Sequence, residues 1–166
     1  MKLLQELFAQ GYLSEEKVDE YSKQTVRFGK TEEEIILAKK IVTEDFLFNL
    51  KSKITNIPLK KVDADKVPSD ILELIPEEAS INYKMVAIER AENVIQIGMV
   101  YPEDMSAQNA LRFLAGQQNF NFKIFLITIT DLENLLKQRK NITGISTPVW
   151  EIFPVSDHIR RHIGCG

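Results

Sequence analysis

Through the first third of the chain, apolar residues recur at the spacing of an amphipathic helix. One stripe of the first predicted helix is formed by Leu3, Leu4, Leu7 and Phe8. Gly11 is expected to end that helix, because a glycine adopts the left-handed cap conformation at little cost. Ser14, followed by two acids, is typical of the N-cap of a second helix, whose dipole the acids complement.

The same arrangement returns later in this region. Thr43 is followed by two acids and an apolar segment, as Ser14 is, and the two positions are 29 residues apart. Leu7 and Ile36 are related by the same offset. We interpret residues 1–53 as a tandem duplication of a helix pair, in which the two copies bury one shared core. Coincidence stays open as the alternative, because caps and amphipathic spacing are common.

Residues 58–139 combine helical and strand patterns. Four helices are predicted, at Ser69–Ile75, Glu77–Tyr83, Asp104–Ala115 and Asp131–Lys140. Three strands are predicted at Met85–Glu89, Val94–Val100 and Phe122–Thr128, with a brief fourth one at Leu59–Val62. The predicted fold class is therefore α+β: a helical N-terminal subdomain of two helix pairs, followed by a small three- to four-stranded sheet packed with helices.

Single residues refine the prediction for this second region. The polar segment Arg90–Asn93 predicts the turn of a hairpin. Asp131 is expected to be the N-cap of the last helix. Gly116 is expected to end the helix before it, and Phe113 and Leu114 are expected to lie on the buried face of that helix.

The segment 140–166 has a different character. It contains two prolines, no periodicity and the isolated Trp150. We interpret it as a linker or disordered tail, at the place where a linker to a further domain would begin. The alternative is that its apolar residues fold back over a groove of the preceding region.

Composition places the chain among ordinary soluble globular proteins, with 44% hydrophobic and 27% charged residues. The net charge of −3 gives no electrostatic reason to expect nucleic-acid binding, which uses a basic face. The single cysteine, Cys165, excludes an internal disulfide and fits a reducing compartment. The apolar runs fall short of the roughly 18 residues that span a bilayer. We therefore expect a cytoplasmic protein without direct membrane insertion.

Three patterns that can carry chemistry are incomplete in this sequence. Gly29-Lys30-Thr31 matches the end of a phosphate-binding loop, but Gln24 replaces the required earlier glycine and the preceding segment is helical. His158 and His162 have the spacing of two metal ligands, and a solvated basic tail explains them better. The acids Glu32–Glu34 are explained by dipole complementation and solvation at a helix start. We predict no catalytic residue and no metal site.

Two runs in the second region carry a resemblance to a known family. The first run contains Leu72, Ile75, Pro76, Glu77, Glu78 and Ala79, and the second is Leu111-Arg112-Phe113-Leu114-Ala115-Gly116. With the order of elements, these runs resemble the N-terminal domain of type II secretion and type IV pilus assembly ATPases, over most of residues 1–139. The resemblance implies a docking or regulatory module, not an enzyme. Its partner would be a cytoplasmic platform protein at the inner membrane, with a motor ATPase domain in cis or in trans.

The resemblance also implies an alternative function, because the paired-helix half of some family members binds cyclic di-GMP. The family motif has an Arg-Leu-Gly triplet, a turn led by glycine, and leucines with a glutamine on the next helix, all repeated. In this chain, Gly11, Tyr12 and Leu13 fit the turn of the first copy. In the second copy, Arg27 and Gly29 belong to a run that resembles the triplet, but the run lies about three residues too far from Ile41-Val42. These five residues are the candidate ligand contacts.

Other positions depart from the family motif. The triplet position of the first copy holds Lys2, Leu3 and Leu4, and the glutamine position holds Thr25. In the second copy, Lys40 replaces the turn glycine. A dinucleotide of this kind needs guanidinium groups and close backbone approach at glycines. We therefore expect no cofactor, and we keep a cyclic di-GMP sensor as the alternative to the docking module.

Overall fold

The computed structural model describes residues 2–143, with side chains described up to residue 141. These residues form two compact units. One consists of the residues up to Lys61 together with Phe125–Thr128, and the other of Val62–Ile124 with the residues from Ile129 onward. The predicted α+β class is confirmed, because a helical N-terminal part precedes a small sheet with its own helices.

Four helices in two pairs make up most of the first unit. They are α1 (Leu3–Ala9), α2 (Glu15–Phe28), α3 (Glu32–Ala38) and α4 (Glu44–Thr55). The first residues of α1 and α3 are 29 residues apart, and both helices are 7 residues long. The first residues of α2 and α4 have the same offset. The helix bounds therefore repeat with the period that the sequence shows.

Both helix pairs turn through the same backbone hydrogen bonds. In the first pair the Gly11 amide donates to the Phe8 carbonyl at 2.9 Å, and in the second the Lys40 amide donates to the Leu37 carbonyl at 3.0 Å. Each is the inner bond of a Schellman motif, and the outer bond is present in both turns. Gly11 has a φ of 80° and Lys40 a φ of 52°. A lysine thus holds the left-handed position that the first copy gives to a glycine.

Exchanging Lys40 for glycine is expected to stabilise the first unit by up to about 1 kcal/mol. The left-handed conformation costs an ordinary residue about 1–2 kcal/mol, and the greater freedom of glycine in the unfolded chain offsets part of that gain. The Lys40 side chain is exposed, so little packing is lost. Urea denaturation followed by circular dichroism measures the change, with Gly11→Ala as the reciprocal variant that should lose about 1 kcal/mol. A less stable Lys40→Gly variant would show that the lysine side chain holds the turn.

One apolar core holds the first unit together. Its buried side chains are Leu3, Leu4, Leu7, Leu13, Val18, Tyr21, Ile35, Ile36, Leu47, Phe48 and Leu50. Phe8, predicted on the buried stripe of α1, is instead 43% exposed. It lies in the last turn of α1, beside the exposed Gly11, where the helix reaches solvent.

The second unit is built around a three-stranded sheet. Its strands are β1 (Met85–Ala91), β2 (Val94–Met99) and β3 (Asn121–Leu126), in the order β1-β2-β3. A 3-10 turn (Ala64–Lys66) and four helices accompany them: α5 (Ser69–Leu72), α6 (Glu77–Tyr83), α7 (Met105–Gln118) and α8 (Ile129–Thr143). β1 and β2 are antiparallel neighbours. β2 and β3 are connected through α7, the kind of crossover that parallel strands need.

The hairpin of β1 and β2 turns through two residues. Ala91 pairs with Val94, which leaves Glu92 and Asn93 as the turn, and Glu92 has a φ of 55°. The predicted turn covered residues 90–93. The observed turn is two residues shorter, because Arg90 and Ala91 pair with Ile95 and Val94 and so belong to the strand. The first four residues of β1 and most of β2 are buried.

α7 differs from the prediction in its length and in its buried face. It continues through Gly116 to Gln118, and Asn119 takes the left-handed cap conformation with a φ of 56°. A glycine inside a helix costs only about 1 kcal/mol, which does not stop a helix that is packed on a core. Phe113, predicted as a core residue, is 65% exposed, whereas Leu111 is fully buried. The core prediction for Phe113 is therefore wrong.

α5 and α8 also differ from their predicted bounds. α5 ends at Leu72, because the chain leading into Pro76 leaves the helical conformation. α8 begins at Ile129, so Asp131 lies in its first turn and is not the N-cap. α8 also runs to Thr143, which makes the first residues of the predicted tail helical. The rest of that tail lies outside the described residues.

A single bridge replaces the brief strand predicted at residues 59–62. Leu59 pairs in parallel with Leu126. The Lys60 amide donates to the Leu126 carbonyl at 2.9 Å, and the Leu126 amide donates to the Pro58 carbonyl at 2.9 Å. These bonds lie within the first unit, to which Phe125–Thr128 belongs.

The core of the second unit lies between the sheet and the helices. Its buried side chains are Val67, Ile71, Leu72, Ile75, Met85, Val86, Ala87, Ile88, Ile95, Ile97, Met99, Val100, Ala107, Leu111, Ala115, Leu132, Leu135 and Leu136. The last three form an apolar stripe along α8. Arg139 of α8 donates to the Ile75 carbonyl at 2.7 Å, and Gln118 of α7 donates to the Leu74 carbonyl at 3.0 Å. Two helices thus hold the loop that leads into α6.

Candidate functional site

Three of the candidate ligand residues lie in the turn between α1 and α2. Gly11 is left-handed, Tyr12 is 49% exposed, and Leu13 is buried in the core. The Tyr12 ring packs against the Phe46 ring, with centroids 5.2 Å apart and planes tilted by 59°. A tilted aromatic pair of this kind is stabilising by roughly 0.5–1.5 kcal/mol. The turn therefore presents a glycine backbone and part of a tyrosine to solvent.

The other two candidates lie at the opposite end of α2. The Arg27 side chain is exposed, and its guanidinium carbon lies 5.4 Å from the ring centroid of Phe28. Gly29 ends the helix with a φ of 62°. α2 has 14 residues, and a helix of that length spans about 21 Å. The five candidates therefore form two groups at opposite ends of α2.

Backbone amides at the triplet position are engaged by a carboxylate of the chain itself. The amides of Leu3 and Leu4 donate to Oε2 of Glu32 at 2.9 and 3.3 Å. These residues begin α1, where the helix dipole favours an anion. Glu32 begins α3, so this contact ties the two helix pairs together. An anionic ligand would have to displace the carboxylate in order to reach the same amides.

The next acid, Glu33, is buried. It forms an ion pair with Lys51 of α4, and the two side chains are 6% and 3% exposed. The Lys51 ammonium also lies 5.9 Å from the ring centroid of Phe48. Removing two charges from water is costly, and their attraction offsets that cost only while both are present. The equivalent position in the first copy holds Leu4, which is 1% exposed.

The third acid, Glu34, closes a capping box with Thr31. The Glu34 amide donates to Oγ1 of Thr31 at 3.2 Å, and the Thr31 amide donates to Oε2 of Glu34 at 2.9 Å. Successive helical residues are rotated by about 100°, so three consecutive acids reach three different partners. All three acids lie in the first turn of α3, as dipole complementation expects, but solvation does not explain Glu33, which is buried. The repeat could have indicated that Glu33 is buried, because the 29-residue offset aligns it with Leu4, an apolar residue of the first copy.

The segment Gly29-Lys30-Thr31 connects two helices. α2 precedes it, as expected, and the Thr31 hydroxyl serves as the N-cap of α3. In a phosphate-binding loop a strand comes first, and the following helix directs its free amides at the phosphate. The described backbone here has the context of a helix terminus, with Gly29 as the residue that ends α2.

The histidines singled out in the sequence, His158 and His162, lie outside the described residues, as does Cys165. Within residues 2–143, no group of three His, Cys, Asp or Glu side chains is placed to hold a metal ion. Over the same residues, every helix is too short or too polar to be a membrane span.

A polar groove lies in the second unit between the 3-10 turn and α8. Its volume is about 390 Å³, and it is lined by Val62, Asp63, Ala64, Asp65, Asn134, Lys137, Gln138 and Asn141. The Asp63 carboxylate accepts from the Asp65 amide at 3.3 Å and pairs with the Lys66 ammonium at 3.2 Å. The groove thus presents three amide side chains, two carboxylates and one ammonium group.

A family model accounts for the region that contains the sheet. The model of the MshEN domain matches residues 55–143, more than half of the chain. The chain belongs to the MshEN domain family. The resemblance drawn from the runs at 72–79 and 111–116 is thereby confirmed. This MshEN domain is of the N-terminal type of type II secretion and type IV pilus assembly ATPases.

Solved structures share the fold of this MshEN domain. A structure of MshE with cdg has a TM-score of 0.67 and 20% identity, over 84% of this chain and 99% of that one. A structure of the N-terminal domain of XpsE has a TM-score of 0.58 and 13% identity, over 82% and 92%. A second one has a TM-score of 0.51 and 12% identity, over 82% and 93%. At these identities the likeness concerns the fold alone. Among curated proteins, none matches this sequence.

Proposed function

We propose that this chain is a non-catalytic docking and regulatory module of a type II secretion or type IV pilus assembly ATPase. Its partner is a cytoplasmic platform protein at the inner membrane, and it couples to a motor ATPase domain in cis or in trans. Membership of the MshEN domain family supports the assignment to this machinery. The chain then works in the cytoplasm, peripheral to the inner membrane, through its partner.

The observation that carries the docking function is the internal carboxylate at the start of α1. Glu32 accepts hydrogen bonds from the amides of Leu3 and Leu4 at 2.9 and 3.3 Å. The family's ligand motif places its triplet at this position. A cation there would attract the phosphates of a dinucleotide, whereas a carboxylate repels them. The helical unit holds its two pairs together without a ligand, as a docking module requires.

The ion pairs of the first unit also favour a non-catalytic role. Glu33 and Lys51 are buried and compensate each other. Asp19 and Lys23 are exposed on α2 at 2.7 Å, and the hydrogen bond and charge of Asp19 raise the pKa of Lys23. Such an i,i+4 pair supports a helix. Both pairs have a structural explanation that needs no substrate.

A cyclic di-GMP sensor is the second candidate. The observation that favours it is the turn with its left-handed Gly11 and half-exposed Tyr12, in a fold shared with MshE, which was solved with cdg. Two positions oppose it. Arg27 lies at the far end of α2, out of reach of that turn, and Lys40 stands where the second copy needs a glycine. The ligand would have to bind without a guanidinium beside the turn.

Binding to the cytoplasmic domain of the platform protein encoded with the same secretion or pilus system tests the docking function. We expect a saturable complex in isothermal titration calorimetry, with a dissociation constant on the order of micromolar, as for transient interfaces. The cytoplasmic domain of an unrelated inner-membrane protein is the control. No binding by two proteins that circular dichroism shows to be folded would rule this function out.

A further inference from the structure

Among the described residues, α7 is buried along one face of the helix, and its outer face is exposed. The helix packs through Ala107, Leu111 and Ala115, which are 0%, 0% and 7% exposed. These positions are four residues apart and form one stripe. Phe113 is rotated by about 200° from Leu111, which places it on the opposite side of the helix. Its exposure of 65% follows from that angle.

This outer face combines apolar and uncharged residues with one cation. Its exposed residues are Met105, Ser106, Asn109, Arg112, Phe113, Gly116 and Gln117. Met105 is 61% exposed, and Arg112 is the only charged residue among the 14 of the helix. The whole chain, by contrast, has 27% charged residues. Phenylalanine, methionine and arginine are enriched at the centres of protein interfaces, from which lysine and acids are depleted.

Gly116 gives this face a position without a side chain. A Cβ added at Gly116 would have no atom within 4 Å, so the space beside it is open. Gly116 follows Phe113 by three residues, so the two positions are neighbours along the helix surface. The Phe113 ring is therefore accessible from the side of Gly116.

We propose that the outer face of α7 is the surface that docks the platform partner, and that it takes an apolar segment carrying a carboxylate. The proposal rests on the docking function given above. Phe113 supplies the apolar anchor, because an exposed aromatic ring buries a large area when a partner covers it. Arg112 selects the carboxylate, since its planar fork forms paired hydrogen bonds with that group.

The length of the exposed face of α7 indicates a small interface and therefore a transient complex. The 14 residues of α7 span about 21 Å, a strip that one helix or one extended segment of a partner covers. Interfaces of this size fall at the small end of the range and belong to transient complexes. Docking through α7 is therefore reversible and depends on the few residues named here.

Three variants of the full chain test this surface, with the cytoplasmic domain of the platform protein as the probe in calorimetry. Phe113→Ala is expected to weaken binding by about thirtyfold, the effect of an aromatic hot spot. Arg112→Glu is expected to weaken it by tenfold or more, because the carboxylate then faces a like charge. Gly116→Glu places a bulky acid beside Phe113 and should act in the same direction. The melting midpoint of each variant should stay close to that of the unchanged chain.

Matched controls lie on the first unit. Phe28 is also a largely exposed aromatic residue, at 60%, and Lys17 is an exposed cation of α2. Phe28→Ala and Lys17→Glu should change the affinity by less than about twofold. Normal binding by Phe113→Ala and Arg112→Glu overturns the α7 surface and leaves the docking function standing. Absence of binding by the unchanged chain overturns both.

Discussion

Replacing Lys51 with methionine is expected to destabilise the helical unit by about 3–5 kcal/mol, because it leaves the Glu33 carboxylate buried without its counter-charge. Both side chains are almost completely buried in the native state, and the pair connects α3 with α4. The loss is of the same order as the whole stability of a small domain. Urea denaturation followed by helical circular dichroism measures it.

Two further variants separate the charge effect from the packing effect. Replacing both partners, as Glu33→Leu with Lys51→Met, restores an apolar pair and is expected to be neutral or stabilising by about 1–4 kcal/mol relative to the native pair. Leucine is also the residue that the first copy has at the position of Glu33. Lys23→Met removes an exposed ion pair and should leave the midpoint of urea unfolding almost unchanged, because solvent screens such a pair. Equal losses in Lys51→Met and Lys23→Met would show that Glu33 and Lys51 are not buried.

Substitutions on the two faces of α7 are expected to have very different effects on stability. Leu111→Ala is expected to lower the free energy of unfolding by about 2–5 kcal/mol, because Leu111 is fully buried and the substitution leaves a cavity. Phe113→Ala removes a larger side chain, yet should change the stability by less than about 0.5 kcal/mol, because Phe113 is 65% exposed. Thermal and urea unfolding of the two variants measure the difference. A loss of several kcal/mol in Phe113→Ala would place the Phe113 ring in the core and remove the docking surface proposed for α7.

The parts of the fold that depend on local chemistry were predictable from the sequence. Caps, acids in first turns and the Gly11 turn mark where α1, α2 and α4 begin or end, and the repeat offset follows from the same residues. The runs around Leu72 and Leu111 carried the family resemblance, and each contributes buried residues to the core, Leu72 and Ile75 in the first and Leu111 and Ala115 in the second. The proposed boundaries at residues 53, 58 and 139 remain predictions.

Two predictions of burial, for Phe113 and for Glu33, were wrong for the same reason. Local sequence patterns do not show which distant residues a side chain will contact in the folded chain. Phe113 was assigned to the core by its apolar character, although its angle from Leu111 places it on the other face of the helix. Glu33 was assigned to solvent by its charge, although a lysine 18 residues later compensates it. The helical angle predicts the exposure of Phe113 better than its residue type does, and the repeat offset predicts the burial of Glu33 better than its charge does.

The positions of the candidate ligand residues were also only partly predictable from the sequence. Gly11, Tyr12 and Leu13 are adjacent in sequence and form one turn, as predicted from the motif. Arg27 and Gly29 resemble a triplet but lie a helix length away, because α2 is continuous between them and the turn. The internal role of Glu32 was not predictable from spacing, since its hydrogen bonds connect positions 29 and 28 residues apart.

A titration of the chain with cyclic di-GMP, followed through backbone amide resonances, tests the central claim most directly. The claim is that the helical unit is held by its own carboxylates and serves docking, not ligand sensing. We predict that the resonances of Leu3, Leu4, Gly11 and Tyr12 do not shift, and that binding to the platform domain is the same with and without the dinucleotide. Saturable shifts at these residues, with a changed affinity for the platform domain, would contradict the claim and identify a sensor.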